Sequence, residues 1–306
     1  MLSADIPHMI SAPLYRDFIQ IVSTRLPSLP NIPEETPDRI VHALWLKAAG
    51  VSVSVEYAGE LALPALDHSA IAKLRELVAR RLAGVPISYI TGRQRFMGLE
   101  LQADPGALIP RKETELMCRS AIEALRYMAS RKESLTVVDV CTGSGNLAVA
   151  LAHYVPQARV FASDLSPKAV EVAGRNARSL ELDKRVEIRA GDLFAPFENP
   201  YFHGNVDLIT CNPPYISSGK LNAMPEEIIK HEPRLAFDGG PFGINILNRF
   251  IQDSPRFLRR GGWAVFEVGL GQGRAIFQRL AGDDRFRKII PLQDGSGRVR
   301  GIMASR

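Results

Sequence analysis

Residues 136–145 read TVVDVCTGSG, an apolar run of strand type that passes directly into a turn containing two glycines. The residues that follow, Asn146–His153, have the pattern of a helix. Glycine permits a tight turn whose backbone N–H groups face a ligand, and the N-terminus of the next helix favours negative charge. This strand–turn–helix unit predicts an α/β fold with a candidate ligand site at the turn.

Strands and helices alternate from this point to the C-terminus. The predicted strands are Thr136–Val140, Arg159–Ser163, Val186–Arg189, Val206–Cys211 and Trp263–Val268. The predicted helices are Asn146–His153, Ser166–Ala177, Ile244–Arg259 and Gln272–Leu280. Strands joined by helical crossovers pair in parallel, with helices on both faces of the sheet. A glycine turn joins Phe286–Leu292 to Val299–Ala304, so we expect a mostly parallel sheet that ends in an antiparallel hairpin.

The N-terminal part of the chain has helical periodicity and few residues placed for chemistry. Thr36 and Pro37 are typical of a helix start, Gly50 is typical of a helix end, and a second apolar face runs from Ile71 to Leu82. We therefore predict a small helical domain over residues 1–85, a hairpin linker over 86–111 and an α/β domain over 112–306.

Composition excludes several classes of protein. The 306-residue chain has 38 basic and 33 acidic side chains, and its net charge of +5 does not demand a polyanionic partner. It has no apolar run of the roughly 18 residues needed to cross a bilayer, and its N-terminus is unlike a secretory signal. Three cysteines are too few for a disulfide framework, and the six histidines have no metal-ligand spacing. We expect a cytoplasmic enzyme without a metal.

An acidic residue at the end of the second strand points to a nucleoside. Asp164 follows Gly143 by 21 residues, the offset at which doubly wound sheets place a carboxylate on ribose hydroxyls. Asp192, with Leu193 beside it, follows the third strand and is a candidate for contact with an adenine amino group. The turn lacks a basic residue for a phosphate and the third glycine of the dinucleotide fingerprint. These features favour a nucleoside with a carboxylate tail, a description that S-adenosylmethionine meets.

The most specific motif, Asn212-Pro213-Pro214-Tyr215, ends the fourth strand. Consecutive prolines exclude a helix and fix an extended backbone. The side-chain oxygen of Asn212 and the carbonyl of Pro213 can then accept both hydrogens of a planar NH₂ group, while the ring of Tyr215 covers it. Such a nitrogen is a poor nucleophile because its lone pair is delocalised. The acceptors would orient it toward an electrophilic methyl group and stabilise the charge that develops.

The candidate site follows from these motifs. Asn212, Pro213 and Tyr215 are the predicted catalytic residues, and all four residues of the motif are predicted to bind substrate. The predicted cofactor-binding residues are Cys141, Thr142, Gly143, Ser144, Gly145, Asp164, Asp192, Leu193 and Asn212.

Taken together, VDVCTGSG at residues 138–145, DLSP at 164–167 and NPPY at 212–215 resemble class I S-adenosylmethionine-dependent methyltransferases that act on nitrogen. LIPRKETE at 108–115 and HEPRLAFDGG at 231–240 narrow the resemblance to the HemK/PrmC family of protein glutamine methyltransferases. The resemblance extends from about Leu82 to the C-terminus. It implies a Rossmann-like, seven-stranded sheet behind a helical substrate-recognition domain. It also implies a substrate, the glutamine amide of the Gly-Gly-Gln motif in peptide chain release factors.

Other acceptors stay open on the sequence. Cys141 stands where release-factor enzymes usually have glycine, whereas ribosomal-protein glutamine methyltransferases often have cysteine. A ribosomal protein or a small amino-acid-like metabolite is therefore an alternative acceptor. An adenine methyltransferase of nucleic acid would use the same motif, but it would need a strongly basic face. We expect a monomer with a protein substrate, either a release factor or a ribosomal protein, without stable nucleic-acid binding or membrane association.

Overall fold

The computed structural model describes residues 6–26 and 35–306. The first five residues of the predicted helical domain, and residues 27–34, lie outside the described residues. The chain divides into two compact units. One comprises Met1–Pro105 with Pro225–His231, and the other comprises Gly106–Met224 with Glu232–Arg306. None of the helices in the described ranges is long and apolar enough to cross a membrane.

Helices and strands are numbered in chain order over the described residues. The helices α1 to α11 are Ile6–Arg25, Pro37–Ala48, Val55–Ala58, His68–Leu82, Ile87–Thr91, Thr114–Ala129, Asn146–Tyr154, Pro167–Ser179, Glu226–His231, Asn245–Phe257 and Gly273–Ala281. The strands β1 to β9 are Arg93–Phe96, Leu99–Gln102, Leu135–Val140, Ala158–Asp164, Val186–Ala190, Val206–Cys211, Leu258–Glu267, Lys288–Gln293 and Val299–Ser305.

The first unit is a cluster of short helices with the β1–β2 hairpin at its C-terminal end. Thr36 caps α2 as predicted, because its hydroxyl accepts a hydrogen bond from the backbone N–H of Arg39. The apolar faces of α2 and α4 pack around buried Trp45, whose indole N–H donates to the carbonyl of Pro64 at 2.8 Å. The hairpin predicted as a linker lies within this unit.

A buried arginine joins α9 to the first unit. The side chain of Arg81, at the end of α4, is 1% exposed and pairs with Glu35 at 3.3 Å and with Glu227 of α9 at 3.1 Å. A buried guanidinium without partners would carry a large desolvation cost, so these two carboxylates are needed to place it there. The pair explains why a segment more than 140 residues further along the chain groups with the N-terminal helices.

The second unit is built on one seven-stranded sheet with the strand order β5-β4-β3-β6-β7-β9-β8. Strands β3 to β7 pair in parallel, and β9 is antiparallel to both β7 and β8. This confirms the predicted mostly parallel sheet with an antiparallel C-terminal hairpin.

The register of the central strands places three chain segments at one edge of the sheet. Val140, the last residue of β3, pairs with Ser163 of β4 on one side and with Cys211 of β6 on the other. The chain therefore leaves these three strands at the same level, through the turn at 141–145, Asp164 and Asn212. The order of strands reverses between β3 and β6, and open α/β sheets bind their ligands at such a reversal.

The boundary between α10 and β7 differs from the prediction. The helix ends at Phe257 rather than Arg259, and β7 begins at Leu258 rather than Trp263. Residues 259–262 read RRGG, which lacks a strand pattern. They nevertheless extend β7, because its register with β6 shifts between the Val206 and Leu208 positions and admits extra residues there.

Asp207, which is fully buried near the start of β6, ties this boundary to its neighbours. Its carboxylate accepts hydrogen bonds from Lys132 Nζ at 2.7 and 2.9 Å and from the backbone N–H of Thr136 at 2.8 Å, and it pairs with Arg259. A buried carboxylate is tolerated only when such partners replace its hydration shell. Asp207 therefore joins β3, β6 and β7 at the amino ends of β3 and β6.

We expect Asp207→Ala to lower the free energy of unfolding by about 3 kcal/mol, because a backbone donor and two cations lose their shared acceptor. Urea denaturation followed by circular dichroism measures this change. The control is Asp183→Ala, at an exposed position, which should change stability by less than about 0.5 kcal/mol. Equal denaturation midpoints for the two variants would contradict this role for Asp207.

Candidate active site

The turn after β3 is held in a left-handed backbone conformation at three positions. Cys141, Gly143 and Gly145 have φ values of 56°, 54° and 79°. Only glycine fits at the last position, since a Cβ there would lie 2.9 Å from the Cβ of Ala173 on α8. Gly145 therefore serves both the turn and the close packing of α8 against it.

Asp164 is bound to the turn after β3, and its contact with ribose hydroxyls stays a prediction. One carboxylate oxygen accepts a hydrogen bond from the backbone N–H of Gly143 at 2.8 Å, and the other accepts from the N–H of Ser166 at 2.9 Å. Burial raises the pKa of Asp164 above its ordinary value, although both N–H donors act in the opposite direction. A carboxylate offers about four acceptor sites, so the side chain can still accept from a pair of ribose hydroxyls.

A second carboxylate, the buried Asp139 of β3, also holds the turn in place. It accepts hydrogen bonds of 2.6 Å from the hydroxyl of Thr142 in the turn and from the hydroxyl of Thr210 on β6. Burial raises the pKa of Asp139 to about 6. Sequence reasoning gave this residue no role, although one charged side chain in an otherwise apolar strand was the available signal.

An open cavity lies at this edge of the sheet and brings most of the predicted site together. The predicted residues that line it are Cys141, Thr142, Gly143, Ser144, Asp164, Asp192, Leu193, Asn212 and Pro214. Gly145, Pro213 and Tyr215 lie outside the lining. The cavity thus joins the candidate cofactor turn to the candidate acceptor motif, although the two are about 70 residues apart in the chain.

The remaining walls come from residues without a predicted role. The apolar lining residues Leu147, Leu165, Ala169 and Ile246 are among them. Other lining residues belong to the 106–114 and 233–238 segments. A cavity with a carboxylate held by two backbone N–H groups, apolar walls and a glycine turn fits the adenosine part of S-adenosylmethionine.

One carboxylate connects the two stretches that carry the family resemblance. Glu232 is buried, pairs with Arg111, and accepts a hydrogen bond from the backbone N–H of Ile109 at 3.1 Å. The segments at 108–115 and 231–240 therefore form one wall of the cavity. The sequence signal that could have predicted this position is that both family-specific stretches occur in the same chain.

The loop after β5 holds Asp192 at the rim. Its carboxylate forms a 2.7 Å ion pair with Arg249 of α10, and both side chains are about half exposed. Beside it, Leu193 is buried and its carbonyl accepts a 2.6 Å hydrogen bond from the hydroxyl of Ser163. Contact between Asp192 and an adenine amino group stays a prediction.

The Asn212–Tyr215 turn is fixed by contacts on its far side. Gln272 donates from Nε2 to the carbonyl of Tyr215 at 3.1 Å. A Cβ added at Gly239 would lie 2.6 Å from the carbonyl oxygen of Pro214, and one added at Gly243 would lie 2.3 Å from that of Tyr215. The loop can approach the turn so closely only because both positions are glycine.

The side chains of the motif divide between the cavity and the sheet. Asn212 lines the cavity, and its Nδ2 donates to the hydroxyl of Thr114 at 3.2 Å. The hydroxyl of Tyr215 donates to Glu267 at the end of β7 at 3.0 Å. Burial raises the pKa of Tyr215, so the phenol stays protonated and acts as a donor. Thr114 and Glu267 were missed by sequence reasoning.

The sheet order, the glycine turn with its carboxylate and the adjoining Asn-Pro-Pro-Tyr motif together define a class I methyltransferase. A family model described as "Methyltransferase small domain" matches residues 121–259, and one described as "PrmC N-terminal domain" matches residues 35–92. Release factor glutamine methyltransferase from Moorella thermoacetica is 39% identical over 79% of this chain and 82% of its own length. The enzyme of the same name from Geobacter sulfurreducens is 37% identical over 77% and 79%.

The chain belongs to the release factor glutamine methyltransferase family. It is an enzyme, and its methyl donor is S-adenosylmethionine. The solved N-terminal domain of human METTL16 in complex with SAH has the same fold, with a TM-score of 0.52 at 16% identity over 91% of this chain and 98% of that one.

We expect Asp164→Asn to weaken the binding of S-adenosylmethionine by about 10- to 100-fold at neutral pH, because hydrogen bonds to a charged acceptor are lost. The ionised carboxylate is the better acceptor. Because burial raises its pKa, wild-type affinity should fall as the pH is lowered, and the fall should begin at a higher pH than an unburied aspartate would give.

Isothermal titration calorimetry at several pH values checks both statements. Burial raises the pKa of Asp139 to about 6, so the pH profile of wild type is compared with that of Asp164→Asn, whose remaining pH dependence comes from groups other than Asp164. The matched control is Asp183→Asn at an exposed position. A variant with wild-type affinity and an unchanged pH profile would exclude Asp164 from cofactor binding.

Proposed function

We propose that this enzyme transfers a methyl group from S-adenosylmethionine to the side-chain amide nitrogen of the glutamine in the Gly-Gly-Gln motif of a peptide chain release factor. The observation that carries the proposal is the position of Asn212, which lines the same cavity as Asp164 and the glycine turn. The names of the chain's relatives support the choice of acceptor.

The proposed mechanism depends on hydrogen-bond acceptors. When bound, S-adenosylmethionine supplies an electrophilic methyl group. The side-chain oxygen of Asn212 and the carbonyl of Pro213 accept both hydrogens of the glutamine NH₂ group and direct its nitrogen at that methyl. The same oxygens stabilise the positive charge that grows on the nitrogen as the N–C bond forms and the S–C bond breaks. One of the two N–H protons then leaves to solvent.

Pro214 and Tyr215 complete the proposed substrate site. Pro214 lines the cavity beside Asn212, and the ring of Tyr215 is held by the bonds of its hydroxyl and its carbonyl. An aromatic ring fixed in this way can cover a planar amide and exclude water from it. We propose that Tyr215 packs against the glutamine side chain.

Release factors act in translation, so we propose a cytoplasmic enzyme whose partner is a protein. A monomeric state and the lack of stable nucleic-acid or membrane binding stay predictions. The relatives reported above are named for release factors, which does not favour the ribosomal-protein alternative suggested by Cys141.

We expect purified enzyme with labelled S-adenosylmethionine to label a release factor on its Gly-Gly-Gln glutamine. Ribosomal proteins, tRNA and free amino acids are offered in parallel, and peptide mass mapping locates the methyl group. A release factor with alanine in place of that glutamine is the control. Label on nucleic acid alone, or on a ribosomal protein alone, would contradict the proposal.

We expect Asn212→Ala to lower kcat by at least about 100-fold, because the reacting nitrogen loses an acceptor that orients it. Affinity for S-adenosylmethionine, measured by calorimetry, should stay within a few-fold of wild type. The control is Asn205→Ala, in an exposed position before β6, which should leave both values unchanged. An equal loss of turnover and cofactor affinity would instead make Asn212 chiefly a cofactor ligand.

A further inference from the structure

Hydrogen bonds connect the acceptor motif to a single buried carboxylate. Asn212 Nδ2 donates to Thr114 Oγ1 at 3.2 Å, and the hydroxyl of Thr114 donates to Glu267 Oε2 at 2.7 Å. The hydroxyl of Tyr215 donates to the other oxygen, Glu267 Oε1, at 3.0 Å. Thr114 and Glu267 are 1% and 2% exposed, so little water competes for these bonds.

The donor–acceptor inventory gives this chain of bonds a fixed direction. An ionised carboxylate only accepts, and a threonine hydroxyl has one proton to donate. Because Thr114 donates its proton to Glu267, its oxygen can only accept from Asn212. The NH₂ group of the Asn212 amide must therefore face Thr114, and the side-chain oxygen faces away from Thr114.

We propose that Thr114 and Glu267 are positioning residues that set the orientation of the Asn212 amide, so that its oxygen rather than its NH₂ group faces the acceptor nitrogen. The inference rests on the proposed function, in which that oxygen accepts from a glutamine NH₂ group. Neither residue is required to touch substrate or cofactor through its polar atoms. Their effect is on which end of an almost symmetrical amide the substrate meets.

The groups around Glu267 act on its pKa in both directions. Burial raises the pKa of Glu267, whereas the hydroxyls of Thr114 and Tyr215 and the nearby guanidinium of Arg300 lower it. Thr114 itself is the first residue of α6, and its backbone N–H donates to the carbonyl of Arg111 at 3.2 Å. Arg111 is paired with Glu232, so Thr114 follows directly on a fixed segment of the cavity wall.

Removing the Thr114 hydroxyl should change specificity as well as rate. Valine has nearly the same shape as threonine, but it offers no acceptor to Asn212. The amide can then turn over and present its NH₂ group, which favours a carboxylate in place of the substrate amide. If Thr114 had a purely structural role, its loss would weaken the binding of a glutamine substrate and of its glutamate counterpart by the same factor. The ratio of the two dissociation constants would then be unchanged.

The experiment compares wild type with Thr114→Val, Thr114→Ser and Glu267→Gln. For each, calorimetry gives the dissociation constants of the release factor and of its variant with glutamate in place of the motif glutamine. We expect wild type to prefer glutamine and Thr114→Val to reduce that preference about 10-fold or more, with kcat lowered about 10- to 100-fold. Affinity for S-adenosylmethionine should change little.

The other variants keep the test decisive. Thr114→Ser retains the hydroxyl and should restore both the preference and kcat. Glu267→Gln should shift the preference in the same direction by a smaller factor, because its amide can still accept from Thr114 in one of two orientations. Glu267→Gln also provides the test if Thr114→Val does not fold. Ser120→Ala removes a hydroxyl from the same helix, where it donates to the carbonyl of Leu116, and is the matched control.

An unchanged glutamine-to-glutamate preference in folded Thr114→Val or Glu267→Gln would overturn the inference, whatever happens to stability. Failure of the wild-type enzyme to methylate the release factor is a different result, because it would remove the proposed function itself. The two failures are therefore told apart by the wild-type assay.

Discussion

The parallel pairing of β3 with β4 and β6 is the constraint on which the site depends. Val140 pairs with both Ser163 and Cys211, so three strands end at one level. The residues at or just after their ends line one cavity. A slip of one residue in either pairing would turn the following side chain to the other face of the sheet. The bonds from Asp139 to Thr142 and Thr210 act against such a slip, because they join β3 to its own turn and to β6.

Three buried carboxylates hold strands and loops of the second unit in place. Asp207 lies near the start of β6, Asp139 lies close to the end of β3, and Glu267 lies at the end of β7. Each is costly to bury and is tolerated because donors from neighbouring segments surround it. A carboxylate has two acceptor oxygens, so one side chain can fix two partners at once. Glu267 does this for Thr114 and Tyr215.

Local patterns in the sequence were sufficient for the parts of the site that are local in the chain. The glycine turn and the position of Asp164 at the end of a strand were predicted from local patterns, and the structure has both. Partners far apart in the chain had no such pattern: Thr114 and Glu267 are separated by 153 residues, and Ile109 and Glu232 by 123. Arg81 is a further example, since nothing near it in the sequence indicates that Glu227 is its partner.

The Asn212–Tyr215 turn shows why rigidity matters when the attacking nitrogen is a poor nucleophile. In the proposed mechanism no side chain needs to remove a proton from the glutamine amide before reaction, so the rate depends on how well the lone-pair oxygens are placed beforehand. The chain holds them from two sides. Gly239 and Gly243 let a loop pack directly against the backbone of Pro214 and Tyr215, and Thr114 fixes the side chain of Asn212. In that mechanism, oxygens held in this way need no reorganisation during methyl transfer, and we expect them to favour an acceptor that carries two hydrogens on a planar nitrogen.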